Sequence, residues 1–276
     1  EILEKEAPDA LAFPRINITK AVPGNPVELS LFIPLRPNLK IPDYKEIASA
    51  RNKKKEAIKE VLEKEIDDAI LRLRKYAARA VNPGAGGEPK DDELPPLNDQ
   101  FAEAVGGGKT IAELRDRIKK DLEMENKNRL KEKHRLLILE EILKNTEGAI
   151  PEILIDHEIE RMETEFESEV THAGLTLSNY LKDAKKTIED LRKDWRSPAL
   201  KRAKINLILP EIKKSEKLDV DKEKVEHEVK HLLEHYNQNA DKRGGRTQIN
   251  ADEEQVRAYI ERMLANEKVF EFLESQ

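Results

Sequence analysis

The sequence contains no cysteine, few aromatic residues and no long apolar run. Without cysteine, neither a disulfide framework nor a thiolate metal site can form. Aromatic residues make up 4% of the chain, and no apolar run approaches the roughly 18 residues of a membrane-spanning helix. No signal peptide is recognisable. Because the chain begins at Glu1 without a methionine, we expect that a segment upstream has been removed.

Charge dominates what is present. Charged residues make up 38% of the 276 residues, apolar residues another 38%, and the net charge is −6 at pH 7. Both signs are interspersed, which is typical of a helical protein with a large solvated surface. This balance is not that of a general nucleic-acid binder. The length allows two domains or one elongated domain.

Residues 1–50 carry strand patterns. Residues 1–12 read as the end of a helix, and residues 37–47 as an extended, proline-punctuated segment. Apolar and polar residues alternate over 15–22 and again over 27–35, with Pro23-Gly24-Asn25-Pro26 as a turn between them. The pattern predicts an antiparallel hairpin with half-buried strands. Because an isolated hairpin is only marginally stable, we expect a partial α+β domain here.

A helix is predicted over Lys53 to Val81, where apolar residues recur at three- and four-residue steps. It should connect residues 1–50 to the rest of the chain. Residues 82–93 follow as a flexible Gly/Pro linker with no apolar residue larger than alanine.

The longest helix is predicted over Thr110 to Thr146, which contain neither proline nor glycine. At 1.5 Å per residue it would be about 55 Å long, so it should act as a spine for several other elements. Thr110 and Glu113 have the spacing of a capping box. Before them, Gly106-Gly107-Gly108-Lys109-Thr110 resembles a phosphate-binding loop, but Glu103 stands where that loop needs a glycine and a short helix replaces the strand. We interpret the glycines as a turn into a capped helix.

Further helices are predicted to the end of the chain. Pro151 should begin one that stops at Gly174, and Thr187 with Asp190 has capping-box spacing. We expect Pro210 to kink or end the helix that contains it. The predicted spans are 151–174, 178–185, 187–195, 198–218, 221–237 and 250–273.

His227, Glu228 and His231 form an H-E-x-x-H pattern, and His231 with His235 repeats the spacing. In zinc peptidases two such histidines bind the metal and the glutamate acts as the general base. At about 100° per residue, however, the apolar residues of this helix fall on the opposite side. The sequence therefore favours a solvated histidine face, and a zinc-dependent peptidase remains an alternative.

No other pattern indicates an enzyme. The chain has no G-x-S-x-G motif and no cysteine nucleophile, and its carboxylates follow Glu/Lys helical pairing. Trp195 is interpreted as a packing residue. We expect no catalytic residue, no cofactor and no metal.

Several segments, in the right order, resemble one family. They are LNDQFA at 97–102, TIAEL at 110–114, PEILIDHEI at 151–159, GLTLSNYL at 174–181 and AKINLILPEIKKSEKLDV at 203–220. Together they are similar to the C-terminal domain of trigger factor, the ribosome-associated chaperone, although Pro210 departs from the usual pattern. Residues 23–24 and RPNLKI at 36–41 are similar to the end of its N-terminal ribosome-docking domain.

Two departures from the family bear on function. An FKBP-like prolyl isomerase domain usually stands where this chain has only residues 82–93, so we expect no isomerase activity. The ribosome-docking signature Gly-Phe-Arg-x-Gly-x-x-Pro is not in the chain and would fall before Glu1. The resemblance thus implies a form lacking the isomerase domain and truncated at the N-terminus, with residues 94–276 as an elongated, mainly α chaperone domain with arms.

The resemblance implies an ATP-independent, cytoplasmic chaperone that holds nascent or unfolded polypeptides in a helical cradle. Ribosome docking would depend on residues upstream, and no membrane or nucleic-acid site is expected. A periplasmic relative is a variant, and a structural assembly scaffold is a further alternative. The candidate client-binding residues are Met162, Phe166, Val170, Leu175, Tyr180, Leu181 and Ile188.

Overall fold

The protein is seen in a computed structural model that describes residues 15–20, 28–33, 35–81, 88–242 and 253–276. In these ranges it is mainly α-helical with one two-stranded antiparallel sheet, which confirms the predicted fold class. The elements are β1 (Arg15–Lys20), β2 (Glu28–Phe32), α1 (Tyr44–Asn52), α2 (Glu63–Val81), a 3-10 turn (Asp91–Glu93), α3 (Asp99–Ala104), α4 (Ile111–Asn145), α5 (Glu152–His172), α6 (Leu177–Ala184), α7 (Ile188–Ser215), α8 (Lys222–Lys242) and α9 (Glu253–Glu274). The helix predicted over 1–12, the turn over 23–26 and most of the glycine linker lie outside the described residues.

The chain forms two compact units. The first comprises Glu1–Ser49, as far as it is described, with Leu139–Gln276, and the second comprises Ala50–Ile138. The boundaries of these units do not coincide with those of the four segments proposed from the sequence. One boundary falls inside α1 and the other inside α4. A helix of 35 residues is long enough to contribute to two cores in succession.

The predicted hairpin is confirmed, and its register places apolar residues opposite one another. Ile16 pairs with Leu31 and Ile18 with Leu29, so these side chains share one face of the sheet. The expectation that this face is half-buried is wrong for the described structure: Ile16 is 60% and Ile18 65% exposed. No other described element covers this face.

The first four residues of α1, Tyr44 to Ile47, belong to the segment that was expected to be extended. The helix begins after Asp43, whose Oδ1 accepts the N–H groups of Lys45 and Glu46 at 3.1 and 3.0 Å. This is an N-cap, since an aspartate before the first turn satisfies amides that have no partner inside the helix. The signal was present in the sequence as Pro42-Asp43.

The helix predicted from Lys53 begins ten residues later, at Glu63. Residues 53–62 are not helical because contacts with α4 hold them: Asn52 Oδ1 lies 2.7 Å from His134 Nε2, and Lys133 donates to Glu56 at 2.5 Å. The start of α2 is then fixed by Glu65, whose carboxylate accepts the Leu62 N–H at 2.8 Å.

In the second unit, α2, α3 and α4 share one core. Its buried side chains are Val61, Ile66, Ile70, Phe101, Ala102, Leu114 and Ile118. Arg115 on α4 spans to α2 by donating to Glu63 at 2.6 Å and to Asp67 at 2.7 Å. The apolar stripe predicted for residues 58–80 therefore packs along part of its length, although Ile58 and Leu62 are exposed.

In the first unit, α5 packs on α7 and α8 packs on α9. The first pair buries Ile155, Ile159 and Ala199, and the second pair buries Val225, Val229 and Ile260. The capping box at Thr187 and Asp190 is confirmed at the start of α7.

The two helices predicted around Pro198 are in fact one, with both Pro198 and Pro210 inside α7. Of the two alternatives expected for Pro210, that it ends its helix is wrong. Its neighbours Ile208, Leu209 and Ile212 are buried, and their packing offsets the lost hydrogen bond of the proline.

Candidate functional site

A tight turn joins α5 to α6 and brings their apolar faces together. Gly174 adopts a φ of +80°, which a glycine takes without steric cost, and the Leu175 N–H donates to the Val170 carbonyl at 3.0 Å. Thr176 then caps α6 by accepting the Asn179 N–H at 3.3 Å. The similarity of GLTLSNYL to a family turn thus corresponds to a real change of chain direction.

Three aromatic rings meet where α5, α6 and α7 converge, and we call Phe166, Tyr180 and Trp195 the aromatic cluster. The Phe166 ring lies 5.1 Å from Tyr180 and 5.5 Å from Trp195, with interplanar angles of 77° and 66°. Such edge-to-face pairs contribute about 0.5–1.5 kcal/mol each beyond their buried area. All three rings are half-buried, so they pack and still present apolar surface.

The structure places the seven predicted client-binding residues on neighbouring elements, with different exposure. Leu175 is 45% exposed, whereas Val170 is only 6% exposed and belongs to the core. The other five candidates are half-buried: Met162, Phe166, Tyr180, Leu181 and Ile188. Trp195, predicted only to be a packing residue, does pack against the α5–α7 core but also belongs to the aromatic cluster.

Ion pairs join α5 and α7 beside the aromatic cluster. Arg192 donates to Glu163 at 2.6 and 2.8 Å, and Arg202 donates to Glu165 at 2.7 Å. The hydrogen bond from Arg202 holds the pKa of Glu165 below its usual range. The charges of these four residues are therefore compensated within the protein, and the aromatic cluster beside them offers apolar contact.

Glu158 fixes the register of α5 on α7. It is 7% exposed, and its Oε1 accepts from Asn206 at 2.8 Å and from Arg161 at 3.2 Å. A buried carboxylate needs such partners because water cannot reach it. This contact positions the helices that carry the aromatic cluster.

The histidines of the H-E-x-x-H pattern lie on the solvent side of α8. The His227 side chain is 77% exposed and His231 is also exposed, whereas Val225 and Val229 on the opposite face are buried. The predicted orientation is confirmed for these two; the side chain of His235 is not among those described. Within the described ranges no three His, Asp or Glu side chains are arranged to hold a metal ion.

The glycine-rich segment 106–108 connects two helices, α3 and α4, so no strand precedes it. Thr110 Oγ1 accepts the Glu113 N–H at 3.2 Å, as predicted. A capping box also requires the Glu113 carboxylate to accept the N–H of Thr110. That part of the prediction is wrong, because the carboxylate accepts the N–H of the preceding residue, Lys109, at 2.6 Å. The site has the geometry of a helix start rather than of a phosphate loop.

None of the described helices is both long enough and apolar enough to cross a membrane. Fold and site together define a mainly α-helical protein with an N-terminal hairpin and a partly open apolar surface where three helices converge.

The family model for the bacterial trigger factor C-terminus matches residues 110–275. The chain therefore belongs to the trigger factor family. The trigger factor of Bacillus cytotoxicus is 33% identical over 185 residues, which are 66% of this chain and 43% of that protein. The trigger factor of Carboxydothermus hydrogenoformans is 33% identical over 151 residues, 55% of this chain and 35% of that protein.

The chain thus spans about two fifths of the length of the Bacillus cytotoxicus relative, which is 43% covered. The chain is also similar to a solved structure that concerns promiscuous substrate recognition in the folding and assembly activities of the trigger factor chaperone. The likeness has 16% sequence identity and a TM-score of 0.47 and covers 97% of this chain and 80% of that one.

Proposed function

We propose that this protein is an ATP-independent molecular chaperone that transiently holds nascent or unfolded polypeptides. The observation that carries the proposal is the aromatic cluster with Leu175 beside it, in a chain of the trigger factor family. A partly open apolar surface binds unfolded segments without sequence preference, because burial of apolar area is not directional. Low affinity at each of several such surfaces allows both retention and release.

The client-binding role is proposed for Met162, Phe166, Leu175, Tyr180, Leu181 and Ile188, with Val170 supporting them from the core. Residues 94–276 are proposed as the chaperone region, with residues 82–93 in place of an isomerase domain. We further propose a cytoplasmic location, as for bacterial relatives. Ribosome docking is not part of the proposal, because the Gly-Phe-Arg-x-Gly-x-x-Pro signature is not among these 276 residues.

The experiment is aggregation of a chemically unfolded client, followed by light scattering at a one-to-one ratio of chain to client. Leu175→Ser combined with Tyr180→Ser should weaken suppression several-fold, because both side chains present apolar surface. The matched control is Tyr259→Ser with Met263→Ser, which are 53% and 42% exposed on α9. Equal effects of the two pairs would contradict the assigned site, and absence of suppression by the parent chain would contradict the function.

The proposal includes a lack of prolyl isomerase activity. Six residues, 82–87, separate α2 from the next described segment, and that segment holds only the 3-10 turn before α3. A catalytic pocket with its own sheet cannot be built from so few residues. In a proline-limited refolding assay the chain should leave the slow phase at its uncatalysed rate; concentration-dependent acceleration would refute this part.

A further inference from the structure

A cleft in the unit Ala50–Ile138 lies between the non-helical residues 55–62 with the start of α2 and the middle of α4. Its volume is about 780 Å³, and its walls include Ala57, Leu62 and Leu130. Leu62 is 65% exposed, and Ile58 beside it is 55% exposed. Two large aliphatic side chains in the open next to a concave surface are suited to contact with another molecule.

The carboxylates of this cleft are mostly engaged inside the protein. Glu56 accepts from Lys133 at 2.5 Å, and that bond lowers the pKa of Glu56. Glu65 accepts the backbone N–H of Leu62 at 2.8 Å. Among the residues that line the cleft, Glu56, Glu60 and Glu65 balance the charges of Lys59, Arg129 and Lys133.

Positive charge is in excess beside the cleft. Lys53, Lys54 and Lys55 directly precede Glu56, all three are exposed, and none of them forms an ion pair within the described part of the chain. Lys59 and Arg129 also line the cleft, and Arg129 donates to the neutral Asn126 at 2.9 Å. The cleft thus combines an apolar wall with a cationic rim.

We propose that this cleft binds extended segments of unfolded polypeptide in which apolar residues are flanked by aspartate or glutamate. The apolar wall would take the aliphatic side chains, and Lys53 to Lys55 would pair with the carboxylates. This inference rests on the proposed function and names the class of client that one surface prefers. It assigns a second binding surface, in the other compact unit from the aromatic cluster.

A nucleic acid fits the same surface less well. None of the described residues that line the cleft is aromatic, so a base has no side chain on which to stack. Its aliphatic wall instead suits a peptide, which offers apolar side chains together with acidic ones.

The experiment measures binding of three labelled, unstructured peptides to the full chain by fluorescence anisotropy at low salt. The peptides share the same leucines and differ only in the residues between them, which are all glutamate, all serine or all lysine. The parent chain should bind the glutamate peptide about tenfold more tightly than the serine peptide, because several exposed ion pairs of modest energy add. The preference should fall as salt is raised.

The test variant is Lys53→Glu with Lys54→Glu and Lys55→Glu, which should abolish the preference or reverse it toward the lysine peptide. The matched control is Lys222→Glu with Lys224→Glu and Lys230→Glu, three exposed lysines of α8, which changes net charge equally and should retain the preference. Ile58→Ser with Leu62→Ser should weaken binding of the glutamate and serine peptides alike. Circular dichroism of each variant checks that the helices are retained.

The outcomes are separable. Binding of all three peptides with equal affinity would overturn this inference and leave the chaperone function standing, whereas no binding of any peptide would overturn both. Equal loss of preference in the control triple would show a general effect of net charge and overturn the assigned cleft. A single-stranded RNA bound more tightly than the glutamate peptide, and lost in the test triple, would overturn it in favour of nucleic acid.

Discussion

Gly107 lies directly against the buried side chain of Leu114, and this contact sets how α3 meets α4. A Cβ added at Gly107 would overlap Leu114 Cδ1, and Leu114 is only 2% exposed. At Gly106 an added Cβ would meet nothing within 4 Å, but the backbone there has a φ of +67°. The two glycines are therefore required for different reasons, one for space and one for conformation.

We predict that Gly107→Ala destabilises the chain by about 1–3 kcal/mol through overpacking. Gly106→Ala should cost about 1–2 kcal/mol through its left-handed backbone. Urea unfolding measures both. In a Leu114→Ala background the cost of Gly107→Ala should shrink while that of Gly106→Ala is unchanged; equal costs in both backgrounds would contradict the packing explanation.

Tyr44 has an unusual environment for a tyrosine. Its hydroxyl donates to Glu216 Oε1 at 2.6 Å, and the same oxygen lies 2.9 Å from Lys45 Nζ. Burial, followed by the bond and the charge of Glu216, raises the pKa of Tyr44 to about 12. The contact joins α1 to the end of α7 within the first unit.

A spectrophotometric titration should therefore show Tyr44 ionising late, near pH 12. Glu216→Gln should move that pKa down only in part, because burial is the larger cause. Glu211→Gln, which removes the partner of Arg36 instead, should leave the late transition in place. Absence of a tyrosine transition near pH 12 in the parent chain would contradict the Tyr44 environment.

At the scale of single elements, α7 is the helix whose course the sequence described least well. Its 28 residues include Pro198 and Pro210, and its buried face continues through both. A proline inside a helix removes one hydrogen bond and crowds the preceding turn. Tertiary packing supplies the free energy that offsets these costs.

Pro210 is exposed, so we predict that Pro210→Ala stabilises the chain, by up to about 3 kcal/mol. Thermal unfolding followed by circular dichroism measures the change. Lys214→Ala, at another exposed position of α7, should have an effect within about 0.5 kcal/mol. A loss of stability in Pro210→Ala would mean that the packing of Ile208 and Ile212 depends on the proline.

A local sequence pattern is sufficient to locate some of the helices and insufficient for others. The start of α7 follows from Thr187 and Asp190, and the course of α4 from a long stretch without proline or glycine. The start of α2 does not follow from its apolar stripe. The contacts of Asn52 and Glu56 with α4 interrupt the helix. Their partners lie 82 and 77 residues away along the chain, so a local sequence pattern does not reveal them.

At the scale of the whole molecule, many carboxylates are held ionised by partners in the folded state. Four examples have a pKa below the usual range: Glu165 through Arg202, Asp190 through the Thr187 N–H, Glu216 through Tyr44, and Glu226 through Arg257. Because these pKa values are lower in the folded than in the unfolded chain, the unfolded chain binds protons first as the pH falls.

We predict that stability is retained at neutral pH and falls progressively below about pH 5. Denaturant unfolding at several pH values measures the slope. Glu165→Gln should make the slope shallower, because one such carboxylate is removed. Glu160→Gln, an exposed neighbour on α5, is the matched control, and a stability that rises between pH 5 and pH 3 would contradict the sign of the argument.

The candidate site was predictable in part. The sequence named Phe166 and Tyr180 among the candidate client-binding residues and predicted the helix stop at Gly174, but not the contact between the two rings. The inclusion of Trp195 was not predictable, because it depends on how α7 packs against α5. The burial of Val170 has the same origin, since a stripe identifies an apolar face but not which of its members neighbouring helices will cover.

The sequence by itself determined the helical class, the hairpin, the long uninterrupted α4, the caps at Thr110 and Thr187 and the solvent face of His227 and His231. The helices and their caps depend on neighbours within four residues along the chain, and the hairpin joins strands that are close in sequence, with Lys20 opposite Glu28. Only the tertiary structure decided the continuity of α7 through two prolines, the late start of α2, the aromatic cluster and the lysine-rimmed cleft. Each of these depends on residues far apart in sequence, whose packing outweighs local preferences of about a kilocalorie per residue.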